Sequence, residues 1–155
     1  MNTFRTTFNI PEIPCKLNYQ SKSLFLGSCF TENIGNYLKD HKFNININPF
    51  GIIYNPITIC KSIDYLINNK QFNENDLSFN SDLWFSFQHH GRFSNPDKIK
   101  CLDNINTSIF ESSEFLKQAD FIFITLGSAY TYTHKLTNQV VANCHKFPSK
   151  TLAVI

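Results

Sequence analysis

The sequence predicts an α/β protein in which a parallel sheet carries helices on its faces. Apolar segments of strand length alternate along the chain with segments whose apolar residues recur at helical spacing. The segment "FIFITLG" (121–127) is apolar almost throughout, which is typical of a strand covered on both faces. The length of 155 residues suits one domain with a substantial core.

Helices separate consecutive predicted strands, and this order favours parallel pairing because parallel strands need a long crossover connection. Proline marks one of the boundaries, since Pro49 ends the second strand. The predicted elements are strand 23–27, helix 31–41, strand 43–50, helix 57–68, an extended ribbon at 81–94, helix 106–120, strand 121–127 and two extended segments within 129–148.

Helical spacing also predicts which side chains face the core. In the first helix, Thr31 is predicted as the N-cap, and Ile34, Tyr37 and Leu38 form one apolar stripe. The side chains of the last helix that are predicted to point inward are Ile109, Phe110 and Leu116.

Composition and charge exclude several classes of protein. The net charge is only +2 and no cluster of Lys and Arg occurs, so a dedicated nucleic-acid surface is not expected. The five cysteines are odd in number and form no C-x-x-C, which favours a reducing compartment over a disulfide framework. No apolar signal segment or membrane-length apolar run is present, so we expect a cytoplasmic protein with no membrane partner.

The segment "LFLGSCFTENIG" (24–35) places Ser28 and Cys29 between a predicted strand and a predicted helix. Ligands of open parallel sheets bind at the carboxyl ends of the strands, and a helix N-terminus there stabilises negative charge. Ser28 is therefore a candidate nucleophile, the alternative being a tight turn in which it helps to cap the helix. Cys29 is expected to be a small buried hydrophobic residue, the alternative being a reactive thiol.

Glycines follow the other two predicted strands, at Gly51 in "NPFGIIYNP" (48–56) and Gly127 in "TLGSAY" (125–130). A glycine lets the backbone approach a ligand closely. Gly27, Ser28, Gly51 and Gly127 are therefore predicted to meet at one edge of the sheet. Each glycine alone has the alternative of a loop residue without a role.

Histidines and polar residues later in the chain are candidates for accessory roles. They are His89 and His90 in "FQHHGRFS" (87–94) and Asn143, Cys144 and His145 in "VVANCHKFP" (140–148). Their spacing matches no zinc finger, and adjacent histidines on a ribbon point in opposite directions. No metal and no other cofactor is predicted.

Five motifs in this order resemble those of the GSCFA-domain family, which is named for a Gly-Ser-Cys-Phe-Ala stretch. They are "FLGSCFTENIG", "NPFGIIYNP", "FSFQHHGRFSN", "ITLGSAYTY" and "VVANCHKFP". The resemblance spans roughly residues 25–148, and Thr31 stands where the naming motif has Ala. That family in turn resembles the SGNH, or GDSL-like, hydrolases.

This resemblance implies a flavodoxin-like α/β/α sandwich with Ser28 as the nucleophile and Gly51 as an oxyanion donor. Gly127 fits the Gly-x-Asn motif of that superfamily, but Ala129 stands at its Asn position, and Asn143 is inferred as a replacement donor. The superfamily takes its basic histidine from a segment near the C-terminus, which this chain lacks. Residues 1–155 are therefore expected to be a single GSCFA-like domain, incomplete at the C-terminus and cut after its third core strand.

The leading hypothesis is a serine ester hydrolase that acts on a small-molecule or carbohydrate O-acyl ester, with this chain inactive for want of its base. A non-catalytic binding module of the same fold is one alternative. A thiol site with Cys29 as nucleophile and His90 or His145 as base is another. A sheet cut after its third strand also predicts self-association through the open edge.

Overall fold

A computed structural model describes residues 7–9, 11–142 and 152–154 of the chain. Its central sheet has three parallel strands, β1 (Lys22–Gly27), β2 (Asn44–Ile47) and β5 (Phe121–Thr125), in the order β2-β1-β5. The first parallel strand thus lies between the second and the third, as in flavodoxin-like folds. The predicted α/β class with a parallel sheet is confirmed.

Three helices connect or flank these strands: α1 (Cys29–Asp40), α2 (Pro56–Ile67) and α3 (Lys98–Leu116). Two small antiparallel sheets are also present in the described part, and of the ribbon predicted at 81–94 only Leu83–Phe85 is strand. One pairs β3 (Ser78–Asn80) with β4 (Leu83–Phe85), and the other has β6 (Tyr132–His134) between β7 (Gln139–Val141) and β8 (Leu152–Val154). In the described ranges no helix is long and apolar enough to cross a membrane.

Helix α3 begins eight residues before the predicted start at 106, because Asp97 caps it. The Asp97 carboxylate accepts hydrogen bonds from the N–H groups of Ile99 and Lys100. Buried Cys101 and Ile105 then precede the predicted Ile109 at four-residue spacing. Leu116 packs against the core as predicted, but the inward placement of Phe110 is wrong, since that side chain is 53% exposed.

Helix α1 buries a different face from the one its apolar residues predict. Thr31 and Gly35 are buried, whereas Ile34 and Tyr37 are exposed. A Cβ atom at Gly35 would lie only 2.9 Å from the Cγ1 atom of Ile47, so the helix packs on β2 through small residues. This close approach decides the buried face, and of the predicted stripe only Leu38 is partly buried, so the inward placement of Ile34 and Tyr37 is wrong.

Strand β5 lies at the edge of the sheet and, within the described residues, pairs with β1 alone. Its side chains are partly exposed, with Ile122 and Ile124 each at 46%. The expectation that this strand is covered on both faces is therefore wrong. An uncharged open edge is a template for pairing with another chain, so self-association through it stays a prediction.

The main core lies between the sheet, α2 and α3. Its fully buried side chains include Leu24 of β1, Phe50 of the loop after β2, Leu66 of α2 and Ile105 of α3. Because Phe50 belongs to the loop that follows β2, this core also fixes the loop at the carboxyl edge of the sheet. The core thus positions the residues that the sequence predicts as a site.

Candidate functional site

Ser28 is the N-cap residue of α1, at the point where β1 ends, and it is buried. Its backbone is extended, yet its side chain makes no capping hydrogen bond. The hydroxyl oxygen lies instead 2.9 Å from the Oγ1 atom of Thr125 at the end of β5. The side chain therefore does not serve the capping role that a serine commonly takes at this position. Thr31, predicted as the cap, lies inside the first turn of α1.

Three hydroxyl groups meet at this edge of the sheet. Thr125 Oγ1 contacts Ser28 Oγ, accepts a hydrogen bond from the Ser28 N–H at 3.2 Å, and is hydrogen-bonded to Thr31 Oγ1. Gly27 makes the cluster possible, because a Cβ atom there would lie 2.8 Å from Thr125 Oγ1 and 2.1 Å from the Thr125 carbonyl oxygen. We call Ser28, Thr31 and Thr125 the hydroxyl cluster.

Cys29 is exposed, so the expectation that it is a buried hydrophobic residue is wrong. It is the first residue of α1, whereas the side chain of the preceding Ser28 is buried. Only one of the two can face inward at this junction, and that residue is Ser28. Cys101 is the buried free cysteine of the described part, while Cys15 and Cys60 are exposed. Cys144 lies outside the described residues.

Gly127 lies beside Ser28, since a Cβ atom added to it would be 3.3 Å from Ser28 Cβ. Its N–H donates to the carbonyl oxygen of Tyr54 at 2.9 Å, and the N–H of Ile53 donates to that of Gly27 at 2.9 Å. The loops after β1, β2 and β5 are thus joined by backbone hydrogen bonds. This meeting of loops was predicted for the carboxyl ends of the strands.

Gly51 lies at the same edge, but its N–H is engaged within its own loop. It donates to the Asn48 carbonyl oxygen at 2.7 Å, closing a turn in which Gly51 has φ of +79°. A Cβ atom at Gly51 would lie 2.2 Å from the Cβ atom of His90. The glycine therefore permits close approach of the ribbon that carries His90. Its predicted service as an oxyanion donor stays a prediction.

Asn48 is the centre of a second polar network next to the hydroxyl cluster. Its Oδ1 atom accepts the Gly27 N–H at 2.8 Å, and its Nδ2 atom donates to Glu32 at 3.3 Å. Arg92 closes the network by donating to Glu32 Oε2 and to the Asn48 carbonyl oxygen, each at 2.9 Å. We call Glu32, Asn48 and Arg92 the Asn48 network. It ties the ribbon and α1 to the backbone just before Ser28.

The two described histidines of the "FQHHGRFS" segment have different surroundings. His89 is fully buried among aromatic rings, with ring-centre distances of 4.8 Å to Phe50, 5.0 Å to Phe72 and 5.3 Å to Phe93. His90 accepts the Arg92 N–H on its Nδ1 atom at 3.2 Å. Asn143 and His145 lie outside the described residues. In the described ranges no group of three or more His, Cys, Asp or Glu residues is placed to hold a metal ion.

Sequence reasoning missed Thr125 and the Asn48 network. One feature of the sequence could have identified Thr125 as a site residue: it is the single polar residue of the strand "FIFIT" and stands at its carboxyl end. Glu32, Asn48 and Arg92 each fall within one of the quoted motifs. Their meeting depends on how three distant segments pack, and no local spacing predicts it.

Arg92 is expected to hold the loop and α1 together more firmly than a lysine can. We expect Arg92→Lys to lower the free energy of unfolding by about 1 kcal/mol, because an ammonium group lacks the planar fork that serves both acceptors. Urea denaturation measures this change. Lys117→Ala is the control, since its pair with Glu114 is exposed and is expected to contribute less than about 0.5 kcal/mol. Equal loss in both variants would show that the network adds nothing.

The sheet order and the buried serine at its carboxyl edge define an open-sheet α/β protein whose candidate site lies where strands end. The model of the GSCFA family matches residues 22–153, so the chain belongs to the GSCFA family. No curated protein and no solved structure matches the chain.

Proposed function

We propose that the protein is a serine ester hydrolase of the SGNH type with Ser28 as its nucleophile. The observation that carries this proposal is the position of the Ser28 hydroxyl. It stands at the N-terminus of α1 without capping the helix, and it contacts a second hydroxyl from the neighbouring strand. A serine that only closed a turn would be expected to turn its hydroxyl to the N–H groups of the first helical turn.

The reaction proceeds in two steps. Ser28 Oγ attacks the ester carbonyl carbon and passes its proton to a base, and the C–O bond to the alcohol then breaks as the base protonates the leaving alcohol. Water next attacks the acyl-serine, giving up its proton to the base. The acid product leaves and Ser28 regains its proton. The net reaction consumes one ester and one water and yields an alcohol and an acid.

The start of α1 supports negative charge on the tetrahedral intermediate. The first hydrogen bond within the helix runs from the Glu32 N–H to the Ser28 carbonyl oxygen at 3.2 Å. The N–H groups of Cys29, Phe30 and Thr31 precede it and lie at the positive end of the helix dipole. Preorganised donors of this kind are the largest contribution to many acyl-transfer reactions. Asn143 is a proposed further donor, on the sequence resemblance alone.

The proposal assigns the base to a histidine outside the described ranges, and His145, considered above as the base of the thiol site, is the first to test. If His145 serves Ser28, the expectation that this chain is inactive for want of its base is wrong. His89 is an unsuitable base because aromatic rings enclose it and no solvent reaches its side chain. His90 faces Gly51 and Arg92. The substrate is proposed to be an O-acyl ester of a small molecule or a carbohydrate.

One observation favours a second candidate, a thiol site at Cys29. Its side chain is exposed at the first position of α1, so a substrate or reagent can reach the sulfur. In this alternative the sulfur replaces Ser28 Oγ as the attacking atom. The two candidates differ in which of two adjacent side chains reacts, so fragmentation of the labelled peptide, which assigns the label to one residue, separates them.

The test is covalent labelling of the folded protein with a fluorophosphonate, which reacts with activated serines. We expect the label on the peptide that contains Ser28, and none in Ser28→Ala. Iodoacetamide is expected to modify Cys29 without abolishing ester hydrolysis. Modification that abolishes hydrolysis, together with an unlabelled Ser28, would favour the thiol site. No phosphonate label and no hydrolysis would leave the binding module as the better hypothesis.

A further inference from the structure

We propose that Thr125 is a positioning residue for Ser28, an inference that rests on the proposed hydrolase function. Thr125 is the last residue of β5 and lies opposite Gly27 in the parallel register. Its hydroxyl contacts both the backbone and the side chain of Ser28, with the N–H at 3.2 Å and Oγ at 2.9 Å. One side chain thus fixes two atoms of the proposed nucleophile.

The number of protons and lone pairs leaves two orders for these hydrogen bonds, Thr31 to Thr125 to Ser28 or the reverse. A hydroxyl donates one proton and accepts two. Thr125 Oγ1 accepts the Ser28 N–H, which leaves one lone pair and one proton for its two hydroxyl neighbours. We assign the order Thr31 to Thr125 to Ser28, in which each hydroxyl donates to the next. Ser28 Oγ then keeps its own proton for the base.

This order assists the reaction. As Ser28 gives up its proton, negative charge develops on Oγ, and the hydrogen bond from Thr125 becomes a charge-assisted one, which is stronger than a neutral one. The donor is already in place before the reaction, so little reorganisation is needed. Burial of Ser28 and Thr31 limits competition from water at the cluster.

Several features hold Thr125 in this orientation. Its side chain is β-branched, so few χ1 rotamers are open to it. Its backbone is anchored by pairing with β1. The carbonyl oxygen and Oγ1 of Thr125 lie so close to Gly27 that a side chain at position 27 would collide with them. Thr31, which supplies the third hydroxyl, is almost fully buried in the first turn of α1.

The decisive variants are Thr125→Val, which keeps the shape and removes the hydroxyl, and Thr125→Ser, which keeps the hydroxyl. We expect kcat for nitrophenyl acetate to fall about 10- to 100-fold in Thr125→Val with KM unchanged, and to stay within about threefold of wild type in Thr125→Ser. The control is Thr133→Val, at a buried threonine of β6, which is expected to leave kcat unchanged.

A second readout is independent of hydrolysis. Hydrogen exchange of the Ser28 amide is expected to be faster in Thr125→Val than in wild type or Thr125→Ser, because its acceptor is gone. Faster exchange with an unchanged kcat would mean a purely structural contact and would overturn the inference. A rise in KM instead of a fall in kcat would also overturn it.

Failure of the proposed function has a different signature. If Ser28→Ala retains full hydrolysis, Ser28 is not the nucleophile and the role of Thr125 falls with it. If Ser28→Ala is inactive while Thr125→Val matches wild type, the proposed function stands and the inference about Thr125 fails. Thermal unfolding of each variant shows whether a lost rate reflects lost structure.

Discussion

Ser28→Ala is expected to lower the rate of nitrophenyl acetate hydrolysis by roughly 10³- to 10⁶-fold, because it removes the attacking oxygen and leaves only the surrounding donors. The hydroxyl cluster loses one member, but the fold keeps its core. Initial rates measured with the full protein and corrected for spontaneous hydrolysis give the ratio. A circular dichroism spectrum equal to that of wild type excludes unfolding as the cause.

Two matched variants make this result specific. Ser62→Ala removes another buried serine hydroxyl, which donates to the Thr58 carbonyl oxygen within α2, and the rate is expected to stay within a factor of about two. Cys29→Ala is expected to leave most of the rate, since its side chain is exposed and takes no part in the hydroxyl cluster. A large loss in Cys29→Ala with little loss in Ser28→Ala would establish the thiol as nucleophile.

Gly27→Ala is expected to destabilise the protein by about 4 kcal/mol or more, enough to unfold much of a marginally stable domain. Gly27 has φ of +137°, which L-residues with a side chain rarely adopt. The added Cβ would also lie 2.1 Å from the Thr125 carbonyl oxygen, and this backbone atom cannot move without breaking the pairing of β1 with β5. Urea denaturation followed by circular dichroism measures the effect.

Gly35→Ala is the comparison at another tightly packed glycine. Its added Cβ would meet the Cγ1 atom of Ile47 at 2.9 Å, which is a side-chain atom and not part of the backbone. Alanine also has a higher helix propensity than glycine by about 1 kcal/mol, which offsets part of the crowding. We expect a net loss of about 1 kcal/mol or less. Similar losses at both positions would argue against strain at the end of β1.

The sequence predicted the elements whose signals are local. Strand β1, helix α2 and the hairpin of β6 and β7 were located by apolar runs, helical spacing and turn residues, and each lies where it was expected. The start of α3 was missed because the cap at Asp97 lies apart from the strongest apolar repeat. The buried face of α1 was missed because burial there follows from how closely Gly35 lets β2 approach.

The same distinction separates what was predicted of the site from what was not. Ser28 and Gly127 were expected at the carboxyl edge because each follows an apolar strand, and the structure places them side by side. Side chains on the same face recur about every two residues in a strand and about every 3.6 residues in a helix. Ser28 and Cys29 lie where one repeat gives way to the other, so the apolar pattern of the sequence does not decide which of them turns inward. The partner of Ser28 comes from Thr125, almost a hundred positions away in the chain, and only the sheet register brings it there.

The Asn48 network has an evolutionary consequence for the family. Glu32, Asn48 and Arg92 belong to three separate motifs, yet each satisfies a hydrogen-bonding group of another. Loss of one leaves the remaining two with unmet polar groups, so a substitution at one position is tolerated best when another accompanies it. Among family members these three positions are therefore expected to covary, with paired changes of charge at Glu32 and Arg92 more frequent than single ones.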